Sequence, residues 1–365
     1  MPIKYLWSNT TLLTYFLFAL GFSFVFNWLF YRFASNLGIR DLNENDHMRW
    51  NKESKPSIGG ISFYVVFLLS IFGYATIEKE RANLVDYQIL GITLAVTIGF
   101  LIGLADDAFN TNPILKLTGQ FVCANLLIMS GIFISITPFY PINYFFTTIW
   151  VVGLMNSINL LDNMDGAAGA VSVCIILAAI VLVMLTGQYD NFFMIVLCGV
   201  LASLIAFLRF NIFPSKIFMG DTGSQFLGVF LAAISIIYFW GVRVDTGSYV
   251  QVKQFLIPAL IFIVPLTDTA TVFFWRIKRG QSPMIGGRDH ITHHLFYLGF
   301  NERLVIVVLS LVSLISAGLA IWVVYMDKWY TWQIVFLIVY VIVVFALFQW
   351  MYIIARKHIP APKEL

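Results

Sequence analysis

Residues 156–166 read N-S-I-N-L-L-D-N-M-D-G and lie between two apolar runs, 144–155 and 167–185. Polar side chains lodged between runs of membrane length are costly unless they serve a purpose. Continued as helix, the stretch sets Asn159, Asp162 and Asp165 at i, i+3 and i+6, roughly one face. An amide and two carboxylates there suit a metal ion or a donor-rich ligand, with a solvated interhelical loop as the plainer alternative. The flanking runs decide the fold, because the whole chain is built like them. Of 365 residues, 60% are hydrophobic and 11% charged, with a mean hydropathy of +0.86. A soluble domain carries roughly 25% charged residues. The expectation is an all-α, polytopic integral membrane helix bundle, a single transmembrane domain over residues 1–365.

Apolar runs predict about eleven transmembrane helices, with ten as the alternative count. They fall near 11–34, 58–77, 88–105, 116–136, 143–158, 167–186, 191–208, 224–241, 255–275, 303–325 and 332–354. The first run is too long for a signal-peptide core and lacks a small-residue cleavage site, so it is expected to stay. An odd count puts the termini on opposite sides, and Lys and Arg assign the sides. Sixteen of them fall on one side and six on the other, which predicts an outside N-terminus and a cytoplasmic C-terminus. Cys123, Cys174 and Cys198 sit inside apolar runs without metal-ligand spacing and read as small core residues.

The specific chemistry falls on the basic side, in segments near 35–57, 106–116, 159–166, 209–223 and 276–302. The first carries Lys52 and Lys55, then Pro56 and the Gly59-Gly60 pair, a basic approach to a helix start that favours an anion such as phosphate. In the second, Asp106 and Asp107 crowd two negative charges at a span's end, which suits a general base or a metal site, and Lys116 opens the next span. In the fourth, Asp221 stands between Gly220 and Thr222-Gly223 at a new helix start, where a carboxylate can hold Mg2+ against a phosphate; an N-cap role is compatible with this. Asn211 and Phe218 are spaced to line the same pocket. The fifth holds R-D-H-I-T-H-H, with Arg288, His290, His293 and His294. No Cys accompanies them and the spacing is not that of a zinc protease, so a diphosphate suits them better than zinc.

Together these motifs resemble the polyprenyl-phosphate N-acetylhexosamine-1-phosphate transferases. The carriers are P-S-I-G-G (56–60), Asp106-Asp107 with P-I-L-K-L-T-G-Q (113–120), N-L-L-D-N-M-D-G (159–166), F-M-G-D-T-G-S (218–224), P-L-T-D-T-A-T-V (265–272) and R-D-H-I-T-H-H (288–294). The resemblance implies transfer of a sugar-1-phosphate, most simply GlcNAc-1-phosphate, from a UDP-sugar to undecaprenyl phosphate. UMP is released, with Mg2+ as cofactor or Mn2+ in its place. It implies a bacterial cytoplasmic membrane enzyme with its site facing the cytosol, opening the membrane stage of cell-envelope polysaccharide synthesis. It also implies roles: Asp106 and Asp107 at the lipid phosphate, Asp221 with Asp107 at the metal, Asp162 and Lys116 in catalysis. Asn159, Asp165, Asn211 and Phe218 would serve the nucleotide, and Lys52, Lys55, Arg288, His290, His293 and His294 the phosphates. Asp268, inside its span, joins them as a further candidate. Relatives include dimers, so a homodimer is one expected state; a nucleic-acid partner is not expected.

Asn163 stands where that family usually has glycine, and both P-S-I-G-G and the spaced H-x-x-H-H differ from the branch that transfers phospho-MurNAc-pentapeptide. These departures point to the UDP-N-acetylglucosamine branch, with the MurNAc-pentapeptide reaction as the alternative. A membrane prenyltransferase is a rival reading, since N-x-x-D-x-x-D resembles one of its two acidic motifs. D-D-A-F-N, however, has Asn110 where a third carboxylate would stand. A secondary transporter would place ionisable groups near the bilayer midplane, whereas nearly all the carboxylates here lie at span ends.

Overall fold

The computed structural model describes residues 9–33, 57–78, 86–241, 252–282, 287–326 and 330–357. Among these residues there are thirteen helices and no strand. In order they are α1 (Asn9–Phe33), α2 (Gly59–Glu78), α3 (Tyr87–Phe109), α4 (Pro113–Met129), α5 (Tyr140–Leu161), α6 (Ala167–Thr186), α7 (Asn191–Asn211), α8 (Gly220–Tyr238), α9 (Val252–Ile261), α10 (Ile263–Lys278), α11 (Ile291–Tyr297), α12 (Glu302–Tyr325) and α13 (Thr331–Ala355). Nine of the described helices are long and apolar enough to cross a membrane, or ten if α9 and α10 form one bent span. Lys52 and Lys55 lie outside the described residues.

Two of the expected spans differ from the sequence reading. The run near 255–275 is broken, with α9 and α10 meeting at 82°. Pro258 inside α9 and Pro265 in the first turn of α10 each lack an N–H, and a proline ring crowds the preceding turn, so the helix bends between them. The run near 116–136 stops at Met129, leaving 17 helical residues, which reach about 25 Å at 1.5 Å per residue against a hydrocarbon core of about 30 Å. The chain then continues as non-helical backbone, part of which is satisfied by α5: Ile134 N–H donates to Thr147 Oγ1 at 2.9 Å and Ile136 N–H to Asn143 Oδ1 at 3.1 Å. Irregular backbone at membrane depth needs such partners.

α8 is the centre of the bundle, packed against α2, α3, α5 and α6 and buried nearly all round. Lipid tails are as apolar as leucine, so close backbone approach and good packing hold helices together here. Glycine permits the approach. A Cβ on Gly60 would strike the backbone of Gly223, and one on Gly103 the backbone of Asp221. Gly59 and Gly60 also donate their N–H groups to Phe218 O at 3.0 Å and Met219 O at 3.1 Å, tying the start of α2 to the start of α8. Below that, Phe63, Phe67, Phe207, Phe226 and Phe230 form a buried aromatic stack along α8, each pair adding about 0.5–1.5 kcal/mol beyond its area.

Candidate active site

The end of α3, the start of α4, the end of α5 and the start of α8 meet at one point, and local signals set each of these ends. Asn110 takes a left-handed conformation (φ 49°) and closes α3. Asn112 caps α4 by accepting from Ile114 N–H at 2.9 Å, with Pro113 at the first helical position. This tight turn brings Lys116 back onto Asp106. Lys116 Nζ lies 2.9 Å from Asp106 Oδ2, 2.9 Å from Asp221 Oδ1 and 3.5 Å from Asn159 Oδ1. Asp106 also accepts from Thr111 N–H at 2.9 Å and Thr111 Oγ1 at 2.8 Å. Asn159 Nδ2 donates to Asp221 Oδ1, and to Ser224 Oγ at 2.8 Å. Lys116 and Asp221 are half-buried and Asp106 buried.

Asp221 lies in the first turn of α8 but does not cap it; α8 begins at Gly220, earlier than expected. The cap is Asp107, contributed by α3. It accepts from Asp221 N–H at 3.1 Å, Thr222 N–H at 2.8 Å and Thr222 Oγ1 at 2.6 Å. Both oxygens of Asp107 are thus directed at α8, so it fixes the backbone of the metal candidate rather than standing open beside it.

The opening stretch divides its work. α5 ends at Leu161, with Asp162 at its C-cap, so Asn159, Asp162 and Asp165 do not share one helical face. Asn159 turns to Asp221. Asp165 accepts from Ser215 N–H at 2.9 Å. Asn163 accepts from Thr292 Oγ1 and donates to Leu160 O at 2.6 Å, which joins this turn to α11. Gly166 takes φ 76° and donates its N–H to Asn211 Oδ1 at 2.9 Å. Asn211 is buried and also donates to Ile217 O at 2.9 Å. It therefore braces the wall formed by 212–217, and Phe218 is the more exposed of the two expected pocket residues. Asp162 is half-buried. Lost solvation, then the neighbouring carboxylates of Asp221, Asp165 and Asp107, push its pKa well above the usual carboxylate range.

The histidine segment is held from behind by buried carboxylates. Asp268, fully buried on α10, accepts from Ile291 N–H at 2.7 Å and pairs with His290 Nδ1 at 2.9 Å. It caps α11 from another helix, as Asp107 caps α8. Asp289 is gripped by Arg276, at 2.6 Å and 2.9 Å, and by Arg279 at 2.6 Å. Burial alone would raise the Asp289 pKa, but Arg276 leads the groups that hold it down at about 2. His293 and His294 are buried, and His294 packs edge-on against Tyr352. Burial, with the positive groups nearby, lowers the pKa of His293 far below the usual range. Burial likewise brings His294 to about 4, against the opposing pull of Asp268 and Asp289. Arg288 is half-buried, whereas His290, His293 and His294 are buried.

Among the described residues no three His, Cys, Asp or Glu side chains converge to hold an ion. Mg2+ asks for less, since it keeps several waters and binds through one or two carboxylates. The crowding of Asp162, Asp221, Asp165 and Asp107 that raises the Asp162 pKa is the kind of hard-oxygen, anionic surround that such an ion relieves. The donor set fits it.

Sequence reasoning missed Thr111, Thr222, Ser224 and Ser215, which hold the acidic side chains in place. It also missed Arg276, Arg279 and Asp289 behind the histidines.

Residues 89–239 match the model of the family described as Glycosyl transferase family 4. That region contains the Lys116 cluster and α8. The chain is 29% identical over 320 residues to a probable undecaprenyl-phosphate N-acetylglucosaminyl 1-phosphate transferase of Bacillus subtilis (strain 168), covering 84% of each. It is 31% identical to a phospho-N-acetylmuramoyl-pentapeptide-transferase of Streptococcus pneumoniae serotype 19F (strain G54), over 74% of this chain and 82% of that one. It is 26% identical to the decaprenyl-phosphate N-acetylglucosaminephosphotransferase of Mycobacterium leprae (strain TN), over 73% and 72%.

Proposed function

The chain belongs to glycosyl transferase family 4, and from that premise we propose that it moves N-acetylhexosamine-1-phosphate, specifically GlcNAc-1-phosphate, from a UDP-sugar to undecaprenyl phosphate. The observation that carries the reading is Lys116 bridging Asp106 and Asp221 at the meeting of four helix ends. A lipid phosphate cannot leave the bilayer surface and a nucleotide sugar cannot enter the bilayer, so their meeting point must be such a membrane-edge site. We place it on the cytosolic side of a bacterial cytoplasmic membrane, because Lys and Arg concentrate on that side.

An oxygen of the lipid phosphate attacks the sugar-bearing phosphorus of the donor. The P–O bond to the bridging oxygen breaks, and that oxygen leaves with UMP. Both partners are anionic, so the protein's task is positioning and charge neutralisation. Asp221, with Asp162 beside it, would hold Mg2+, which when bound screens the phosphate charges. Lys116 supplies a fixed positive charge between the acidic groups. Asp107 keeps the start of α8 in register, and Asn159 orients Asp221. Phe218, Asp165 and the 212–217 wall form the nucleotide side, and Arg288 lies with the phosphates.

The test is purified protein with undecaprenyl phosphate, Mg2+ and a panel of UDP-sugars, scored for UMP. UMP from UDP-GlcNAc is expected. The 31% identity to a phospho-N-acetylmuramoyl-pentapeptide-transferase supports a second donor, so UDP-MurNAc-pentapeptide belongs in the panel, and preference for it would replace the GlcNAc assignment. No UMP from any donor, or inorganic diphosphate from a prenyl diphosphate, would overturn the reading.

A further inference from the structure

Beneath the Lys116 cluster lies a second polar layer, built on the same three helices. Gln120 follows Lys116 by four residues on α4, Asn156 precedes Asn159 by three on α5, and Gln225 follows Asp221 by four on α8. Residues three and four apart share a helix face. Each member of the lower layer therefore lies under a member of the upper one, about 4.5–6 Å deeper. Gln120 Nε2 donates to Gln225 Oε1 at 3.0 Å and to Asn156 Oδ1 at 3.3 Å, and Gln120 Oε1 accepts from Asn156 Nδ2 at 2.8 Å. Gln120 and Gln225 are 1% and 0% exposed, so neither can touch a substrate arriving at the site. Gln225 Nε2 has no partner among the described residues, which leaves Gln120 as the bond that ties α8 into the layer.

We propose that Gln120, Asn156 and Gln225 are positioning residues for the transfer reaction. They lock α4, α5 and α8 in the mutual register that sets Lys116, Asn159 and Asp221 on one another, an inference that rests on the function proposed above. Two properties favour this over a generic packing role. Amides at membrane depth are costly unless satisfied, and here every side-chain amide atom of the layer but Gln225 Nε2 is bonded across the helices that carry the upper layer. The layer is also uncharged, so it adds rigidity without altering the charge balance that the site presents to phosphate.

The experiment compares Gln120→Leu, Gln225→Leu, the double variant, and Gln225→Glu, which in its neutral form keeps the acceptor oxygen that Gln120 uses. Supporting groups of this kind typically change activity by about 10- to 100-fold. A kcat loss of that size is expected for each single Leu variant, with KM for the UDP-sugar held within about threefold. The double variant should be no worse than the poorer single, since the one bond that Gln225 makes is already lost in Gln120→Leu. Gln225→Glu should recover most of the rate. A second readout needs no turnover: acylation of Lys116 by a water-soluble amine reagent, followed by mass spectrometry, should be several-fold faster in the folded Leu variants. If Gln120→Leu does not fold, Gln225→Leu and Asn156→Ala carry the same comparison. Wild-type labelling and kcat in any folded Leu variant, additive losses in the double, or a KM rise at constant kcat would overturn the inference. A wild-type protein that releases no UMP sinks the proposed function instead, and the labelling comparison still decides this one.

Discussion

Replacing Lys116 by Met keeps the length of the side chain and removes the charge at the crossing of Asp106 and Asp221. The lysine makes a 2.9 Å bond to each carboxylate, with its side chain 17% exposed and theirs 11% and 18%. At that burial solvent screening is weak. A hydrogen bond to a charged group is worth about 1.5–3 kcal/mol, and breaking a buried ion pair on one side costs about 3–5 kcal/mol because the partner charge is stranded. Two bonds to one cation are not independent, so about 3–5 kcal/mol is the range for the pair together. At 1.36 kcal/mol per decade, full expression in the transition state lowers kcat/KM by about 10²- to 10⁴-fold. Lys116→Arg should recover only part of it, since a planar guanidinium cannot replace a compact ammonium between two carboxylates. UMP release per folded enzyme, at saturating and limiting UDP-sugar, measures the loss and divides it between kcat and KM. Folded Lys116→Met protein with a rate within about threefold of wild type would refute the placing of Lys116 in the reaction.

Asp221→Asn is expected to nearly abolish turnover and to raise the Mg2+ concentration needed for what remains, read from a Mg2+ titration of UMP release. Asp107→Ala removes the three bonds that cap α8 and should lower stability by about 1–2 kcal/mol, seen as a lower thermal midpoint in detergent. Asp289 has a folded pKa of about 2, depressed from about 3.9 in an unfolded chain, so its ion pairs contribute about 2–3 kcal/mol above about pH 4 that fades as pH falls towards 2. Asp289→Asn should lose that much stability at pH 7 and little at pH 2, measured by thermal unfolding across pH. Single cysteines placed in 106–116, 159–166, 209–223 or 276–302 should resist an impermeant thiol reagent in intact cells; ready labelling of any of these segments would break the assigned orientation.

Helix identity and the acidic clusters were legible because they are local. Apolar runs of membrane length mark spans, and Asp106-Asp107, Asn159 and Asp221 stand out against them. Lys116 and Gln120 were four residues apart in a quoted motif, and helical spacing alone would have put Gln120 under the site. What was illegible is relational. Asp107 caps α8 across 114 residues, and no spacing rule connects a carboxylate at the end of one helix with free N–H groups at the start of another. The same holds for Asp268 and α11, 23 residues away. The surroundings of the histidines are relational too: residue type gives a titratable imidazole, but how easily it charges depends on burial, which arises from packing such as that of His294 on Tyr352.

The charge placement at the site runs against what helices prefer, and this bears on why the site is where it is. Helix C-termini favour cations and N-termini favour anions. α3 and α5 end without a basic residue in the last turn, α3 with Asp106 and Asp107 near its end and α5 with Asp162 at its C-cap, while α4 begins with no acidic residue and with Lys116 close behind. Each of these charges is poorly placed on its own helix. The conflict is resolved between helices: Lys116 answers Asp106, and the start of α8, the one favourable end for an anion, takes both Asp107 and Asp221. A chain arranged for local stability alone would exchange the acid and the base across the α3–α4 turn. Keeping them reversed makes the four ends depend on one another and leaves their charges facing a common point, where an incoming phosphate and its cation can exchange partners with them. Local rules broken in concert, and mended only through tertiary contacts, are the physical mark of a site rather than of a scaffold.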